Sequence, residues 1–308
     1  MSHLTNPVAT AVQLARCRDR AAALPLPDEL LDAVFFATQR LTQAAGLLLE
    51  LPQSTTARAN VLLARYWVQV PGFEVDLSGG GSSSSASSPS IDFRHVSAAA
   101  VFLVAKTGPI PRSARDVANV YHYLASVGHD GVQLSSSSSP NDNEYAAFHS
   151  LVLVCETRLL DALAFEAHVA LPHPLAVTYL QTLGFLGLPG PPTASPLAHR
   201  TVQYLNTALL SPQLLYVTHQ PHELAVAALY NAARDLGASL PDAAGPWWEV
   251  FDVDRETLGF LAVALRSVTS WAAAAQEQQL APELLASVGG GLTKQKVLEQ
   301  AQRLLQGA

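Results

Sequence analysis

The sequence predicts an all-α protein built as two successive helical domains. Three observations lead there. Ala and Leu, both strong helix formers, dominate a chain that is 49% hydrophobic. Apolar residues recur at i, i+3, i+4 and i+7 in one segment after another, which is the period of a helix face. Two Ala-rich segments of the same plan, SAAAVFLVAK at 97–106 and AVAALYNAAR at 225–234, each end in a cation and run on into a Pro-containing turn. Their offset is longer than solenoid periods and suits two domains of similar plan. A length of 308 residues is enough for two cores of ordinary size.

The elements follow in order. Residues 1–27 are mixed, with Pro25 and Pro27 near their end, and are expected to be an N-terminal lead-in. From residue 28 the pattern is helical, with Leu41, Ala44, Ala45 and Leu48 on one face and Pro52 as a stop. Ser54, Thr55 and Thr56 offer capping oxygens to a second helix, whose face is Ala57, Val61, Ala64 and Val68. The Ser/Gly run at 78–90 buries too little apolar surface to offset ordering entropy and is expected to be a flexible insertion. A third helix, about His95 to Lys106, is apolar nearly all round, as a helix surrounded by others is. TGPIPRSARD then turns the chain into a fourth helix at 117–127, and a second low-complexity insertion covers 134–143. The fifth helix runs from about Glu144 to Phe165 with a stripe of Phe148, Val152, Cys155, Leu159 and Ala162. Pro172 and Pro174 break the pattern and place a domain boundary near residue 171. A second domain is expected over 171–275. The tail 276–308 carries an amphipathic helix with Val297, Leu298, Ala301, Leu304 and Leu305 on one stripe.

Charge and motif content exclude several function classes. Net charge is −7, and no run of Lys/Arg provides a nucleic-acid footprint. Only two cysteines occur, Cys17 and Cys155, which suits a reducing compartment without a disulfide framework. The start MSHLTNPVAT is not a secretory signal. The longest apolar stretches, 98–105 and 258–265, are short of the roughly 20 residues a membrane span needs. No phosphate-cradling glycine motif, nucleophile elbow or His-Glu-x-x-His occurs, so neither a catalytic residue nor a cofactor is expected. His168 and His173 flank Pro172, and His219 and His222 flank Pro221, which denies both pairs helical metal-ligand spacing. No metal site is expected.

Four blocks carry a family resemblance. AAGLLLELPQSTTARANVLLARYW (44–67), AAAVFLVAK followed by RSARDVANVYHYL (98–124), ETRLLDALAFEAHVALPHPLAVTYLQTLG (156–184) and QPHELAVAALYNAARDLGASLPD with PWWEVF (220–251) resemble transcription-type cyclins, above all the cyclin L group. The resemblance covers about 40–275. It implies tandem cyclin boxes, two five-helix domains at 28–170 and 171–275. It also implies a non-catalytic subunit that binds and activates a cyclin-dependent protein kinase as a heterodimer in the nucleus, in transcription or pre-mRNA splicing. Neither a membrane nor direct nucleic-acid binding is expected.

The resemblance maps a kinase interface onto Lys106 and Thr107 at the end of the third helix, and onto Glu156, Leu160 and Phe165 of the fifth. Glu156 and Leu160 are one turn apart and share a face. By residue chemistry alone Lys106 is also a favourable helix-dipole contact, and Glu156 an ordinary acid beside Arg158. This chain has Thr107-Gly108-Pro109 where cyclin L continues with an apolar residue and two acids, and it has no Arg/Ser-rich tail. Ser88 and Ser139 precede prolines in the two insertions and are possible phosphosites. A cyclin-fold scaffold like general transcription factor IIB, with no kinase partner, is the alternative, although its DNA-binding version needs a basic face that net charge −7 does not provide.

Overall fold

In the computed structural model the described residues are 4–22, 26–70, 91–126, 141–186, 194–241, 245–277, 281–286, 288 and 293–307, and among them every regular element is a helix. The chain divides into two units. One holds Ala9–Ala167 with Ala275–Ala308, and the other holds Met1–Val8 with His168–Ala274.

The first unit is organised around one helix. Helices α1 (Ala11–Ala22), α2 (Asp28–Leu48), α3 (Gln53–Gln69), α4 (Phe93–Thr107), α5 (Ala114–Ser126) and α6 (Asp142–Ala162) follow in order. Helix α4 packs against α2, α3, α5 and α6. Its Phe93, Val96, Ala98, Ala99, Ala100, Val101, Val104 and Ala105 are all buried, which is the enclosure its all-round apolarity calls for. Its N-terminus is set by a capping box. The Asp92 carboxylate accepts from the Phe93 amide at 2.8 Å, and the Asp92 amide donates to His95 Nδ1 at 2.9 Å. That cap starts the helix two residues before the sequence expectation. A buried hydroxyl chain links α2, α4 and α5. Thr42 Oγ1 lies 2.7 Å from Ser97 Oγ, which lies 2.6 Å from the Tyr121 hydroxyl.

Several sequence expectations are corrected here. The lead-in holds a helix, α1, because Cys17 buries its thiol against the Trp67 carbonyl at 3.4 Å and Arg18 pairs with Asp28 and Asp32. On α2 the buried line is Leu41, Thr42, Ala45 and Leu49, while Leu48 is exposed. Thr42 joins that line because its hydroxyl also donates to the Thr38 carbonyl at 2.9 Å. Helix α3 starts after Pro52 with no side-chain cap. Thr55 and Thr56 are instead buried. A Cβ at Gly46 of α2 would meet Thr56 Oγ1 at 2.2 Å, so only glycine permits this approach of α2 and α3. The second insertion ends earlier than 143. Asn141 caps α6 by accepting from the Glu144 amide at 2.8 Å, and Asp142 and Asn143 are already helical. Helix α6 stops at Ala162, with Ala164 and Phe165 both at positive φ (47° and 61°), so Phe165 is not helical. Ser88 and the whole 78–90 insertion lie outside the described residues, as does Ser139.

The tail belongs to this unit. A short helix α12 (Pro282–Ala286) packs on α2, and α13 (Lys294–Gly307) buries Val297 and Ala301 while Leu305 stays exposed. The stripe is therefore a packing stripe over its first half.

The second unit repeats the plan on a smaller scale. It comprises α7 (Pro172–Thr182), α8 (Ala194–Ala208), a single turn α9 (Leu215–Thr218), α10 (Pro221–Leu236), a 3-10 turn at Glu249–Phe251, and all but the last three residues of α11 (Arg255–Glu277). Helix α10 is central and packs on α7 and α8. The two Ala-rich segments matched in the sequence are thus the central helices of their units. A capping box of Gln220 and Glu223 opens α10, and Gly237 at φ 63° closes it in the left-handed conformation that glycine adopts freely. Residues 4–8 belong here because Asn6 exchanges hydrogen bonds with both backbone groups of Ala170 at 2.8 Å each.

Helix α11 corrects one further expectation. Over 18 residues its mean hydropathy is 1.4, so by length and composition it is long and apolar enough to cross a membrane. Arg266 and scattered Ser and Thr split the run to the eye without lowering the average much. Its Leu258, Leu261, Leu265 and Val268 are buried in the unit, as core residues are.

The cap of α4 predicts a pH dependence. Burial, with Arg94 adding to it, pushes the His95 imidazole down to about 4, against an ordinary value near 6.5. Below pH 6.5 the unfolded chain binds a proton that the folded chain refuses. The stability held by neutral His95 is complete above pH 6.5 and is lost as pH falls toward 4, roughly 3 kcal/mol in all. His95→Gln, which keeps an acceptor for the capping box, should flatten the stability curve between pH 6.5 and 4 in urea unfolding. An unchanged slope contradicts this role.

Candidate functional site

Helix α4 is enclosed along its length and emerges only in its last turn. There the apolar run ends in Lys106 and Thr107, both exposed. Thr107 turns its hydroxyl inward to the Leu103 carbonyl at 3.0 Å. A Cβ at Gly108 would lie 2.9 Å from the Val104 carbonyl, so the chain needs glycine to leave the helix this tightly. Pro109 and Ile110 then lie exposed.

Helix α6 lies alongside. Its core stripe of Val152, Cys155 and Leu159 is buried as expected, with Ala162 half-buried at its end. Burial pushes the Cys155 thiol up to about 12, which makes it inert packing and no nucleophile. One position on, Glu156 is buried too, and its carboxylate receives the Lys106 ammonium in an ion pair. The Lys106 side chain is 42% exposed and that of Glu156 8%. The same ammonium lies 5.3 Å from the centre of the Phe102 ring, within cation–π range. One buried carboxylate is therefore neutralised by one half-exposed cation, which ties the end of α4 to the middle of α6.

The structure thus joins the two charged residues of the expected interface to each other. Leu160 is half-buried on the same face, one turn beyond Glu156. Phe165 sits past the helix end, 73% exposed, so it is no buried anchor in the chain by itself. Two adjacent non-glycine residues at positive φ, one of them aromatic, cost strain of order 1 kcal/mol each. The backbone spends it to turn the Phe165 ring out of the helix. The sequence reasoning missed Leu153 and Phe102. Leu153 is 41% exposed and three residues before Glu156, and Phe102 is half-buried under Lys106. Helical spacing back from Glu156 and Lys106 was the signal for both.

Among the described residues no group of three or more His, Cys, Asp or Glu side chains is placed to hold a metal. His173 shares a hydrogen bond with Asn206 at 3.0 Å and is held neutral by burial. His219 is stacked on Phe260. Both cysteines are buried, and neither is in a disulfide.

The fold and this face define a protein of the cyclin-box class. Three solved structures share the fold. They are the CAK complex from Chaetomium thermophilum bound to ATP-gamma-S (TM-score 0.61, 17% identity, 98% of this chain and 91% of that one), the yeast RNA Pol II CTD kinase CTDK-1 complex (0.61, 14%, 99% and 84%), and a viral cyclin from herpesvirus saimiri (0.50, 15%, 83% and 96%). No protein-family model matches the chain. Among curated proteins it is similar to cyclin-L2 of Homo sapiens and cyclin-L1 of Gallus gallus, each 31% identical over 222 residues, which is 71% of this chain and 36% of the relative. The cyclin L homolog cyl-1 of Caenorhabditis elegans is 28% identical over 236 residues, 73% of this chain and 44% of the relative. The chain spans little more than a third of the length of the first two relatives. It belongs to the cyclin family, resembling cyclin L, and its fold is that of tandem cyclin boxes.

Truncating the cation tests the pair. Lys106→Ala leaves the Glu156 carboxylate buried without its partner and should cost about 1–2 kcal/mol, the lower range for a pair whose lysine is half in water. Lys106→Arg should cost less. Thermal unfolding reads both, and an alanine variant as stable as the parent contradicts the pairing.

Proposed function

We propose that this chain is a regulatory, non-catalytic cyclin subunit that binds a cyclin-dependent protein kinase in the nucleus and holds it in an active arrangement, in transcription or pre-mRNA splicing. The observation that carries the reading is the Lys106–Glu156 pair set among exposed or half-exposed apolar side chains, Phe102, Leu153, Leu160 and Phe165. Similarity to cyclin L supports the choice of partner class, and net charge −7 opposes a DNA-binding scaffold of the transcription factor IIB kind.

The physical mechanism is population shift. A protein kinase needs its own Lys–Glu ion pair and a correctly placed regulatory helix before it can transfer phosphate. A partner that binds that arrangement better than the inactive one draws the kinase toward it. On this chain Lys106 spends part of its three-donor ammonium on Glu156, so its orientation is fixed before the partner arrives and its remaining hydrogens face water. Backbone carbonyls of a docking helix are suitable acceptors for them. The surrounding apolar side chains supply desolvation, and an exposed Phe at the rim is the type of residue that becomes a hot spot when buried. Thr107, Gly108 and Pro109 add no charge, so kinase choice here depends on apolar fit and on Lys106.

Affinity purification from nuclear extract, with mass spectrometry of the recovered kinase, tests this reading. Leu160→Ser and Phe165→Ser touch half-buried and exposed positions, so they should leave the thermal midpoint within about 2 °C while reducing kinase recovery at least tenfold, the loss of a hot-spot contact. Full recovery with both variants contradicts the interface, and no kinase with the parent chain contradicts the function.

A further inference from the structure

The two Ala-rich helices end alike. Setting 97–106 against 225–234 places Arg234 opposite Lys106 and Tyr230 opposite Phe102. Each cation lies over its ring, with Lys106 5.3 Å from the Phe102 centre and Arg234 5.8 Å from that of Tyr230. Each stands in the last turn of the central helix of its unit, where that helix reaches solvent. The two ends differ in charge balance. Glu156 neutralises Lys106 from within the chain. Among the described residues no carboxylate pairs with Arg234. The adjacent Asp235 is held by Arg200, at 2.8 Å, and by Arg266. The Arg234 guanidinium is therefore left for an acid from outside the chain.

A cleft of about 210 Å³ opens beside it. Tyr230, Ala233 and Arg234 share one face of α10 and form its first wall. After Gly237 ends the helix, the Ala238 amide donates to the Ala233 carbonyl at 2.9 Å, which folds the chain back and brings Leu240 to the second wall. Trp247 and Trp248 complete that wall, edge to face with ring centres 6.0 Å apart. Backbone bonds hold them there. The Glu249 amide donates to the Pro246 carbonyl and the Phe251 amide to the Trp248 carbonyl, each at 3.1 Å. We propose that this cleft binds an acidic peptide segment of a partner protein. An apolar side chain sits between Tyr230 and the two tryptophans, and a neighbouring carboxylate takes the Arg234 guanidinium. The second unit thereby receives from a partner the charge that α6 supplies in the first. The planar fork of arginine donates two parallel N–H bonds to a carboxylate while its face stays on the Tyr230 ring. The site lies wholly in the second unit and stands apart from the kinase reading.

Fluorescence anisotropy on the full chain decides it. The labelled probe is the peptide Asp-Glu-Leu-Phe-Glu-Asp, beside Lys-Lys-Leu-Phe-Lys-Lys, which reverses the charge, and Asp-Glu-Gly-Ser-Glu-Asp, which removes the apolar pair. The first should bind saturably, and each of the others at least about tenfold more weakly. Arg234→Gln should lose about tenfold in affinity for the first peptide, the worth of one charge-assisted contact. Arg58→Gln, which removes an exposed arginine of the first unit, should bind like the parent. The first peptide should also shift the tryptophan emission, and Trp248→Phe, which keeps an aromatic wall, should lose most of that shift. The thermal midpoint of both second-unit variants, read without peptide, shows that they are folded. No saturable binding of the first peptide overturns the site. Equal binding of the basic peptide, or equal losses from Arg234→Gln and Arg58→Gln, overturns the role of Arg234. Equal binding of the Gly-Ser peptide reduces the contact to surface charge and overturns the cleft.

Discussion

The first unit depends on enclosing α4. A helix that is apolar on every side must be surrounded, and four helices do this. Enclosure has one geometric consequence for function: side chains of α4 reach solvent mainly where the helix ends. Lys106 and Thr107 occupy that end, and the neighbouring α6 meets them with a carboxylate that packing has already removed from water. The ion pair is thus placed by hydrophobic burial, because α6 must cover α4 with Val152, Cys155 and Leu159, and Glu156 follows Cys155 in the chain. A pair with one buried member contributes more through the penalty of breaking it than through its own attraction.

Much of the fold was legible because helical periodicity is a local signal. The segments around Ala57–Val68, the Ala-rich centre of α4 and the stripe Val152–Cys155–Leu159 read directly from spacing, and all are buried. The repeat between 97–106 and 225–234 read as two successive helical domains of similar plan, and the two segments lie in α4 and α10. What failed to read was set by tertiary partners. Helix α1 exists through Cys17 on the Trp67 carbonyl and Arg18 on Asp28 and Asp32, contacts with residues far along the chain. The starts of α4 and α6 were each misjudged by two residues because Asp92 and Asn141 act as N-caps, roles that a polar residue at the edge of a low-complexity stretch does not advertise.

The site was legible in part, and by a different route. Residue chemistry offered Lys106 and Glu156 only as a helix-end cation and a dispersed acid, and the family resemblance joined them. Fifty positions separate the two, so no local pattern announces their pairing. Phe165 read as the end of a helix, whereas α6 stops three residues earlier and its backbone turns left-handed, because Leu163 must stay in the core while the chain leaves toward Pro172. Leu153 was available from helical spacing and was missed because it precedes the block that carries the resemblance.

A charge-swap cycle tests the central claim most directly, namely that Lys106 and Glu156 act as one unit that fixes the end of α4 on α6. Lys106→Glu, Glu156→Lys and the double exchange are compared by urea unfolding. Each single reversal sets like charges against each other at a buried position. The account predicts that the double exchange recovers at least about 1 kcal/mol relative to the sum of the singles, a coupling expected only for groups in contact. A double variant whose loss equals the sum of the two single losses contradicts it.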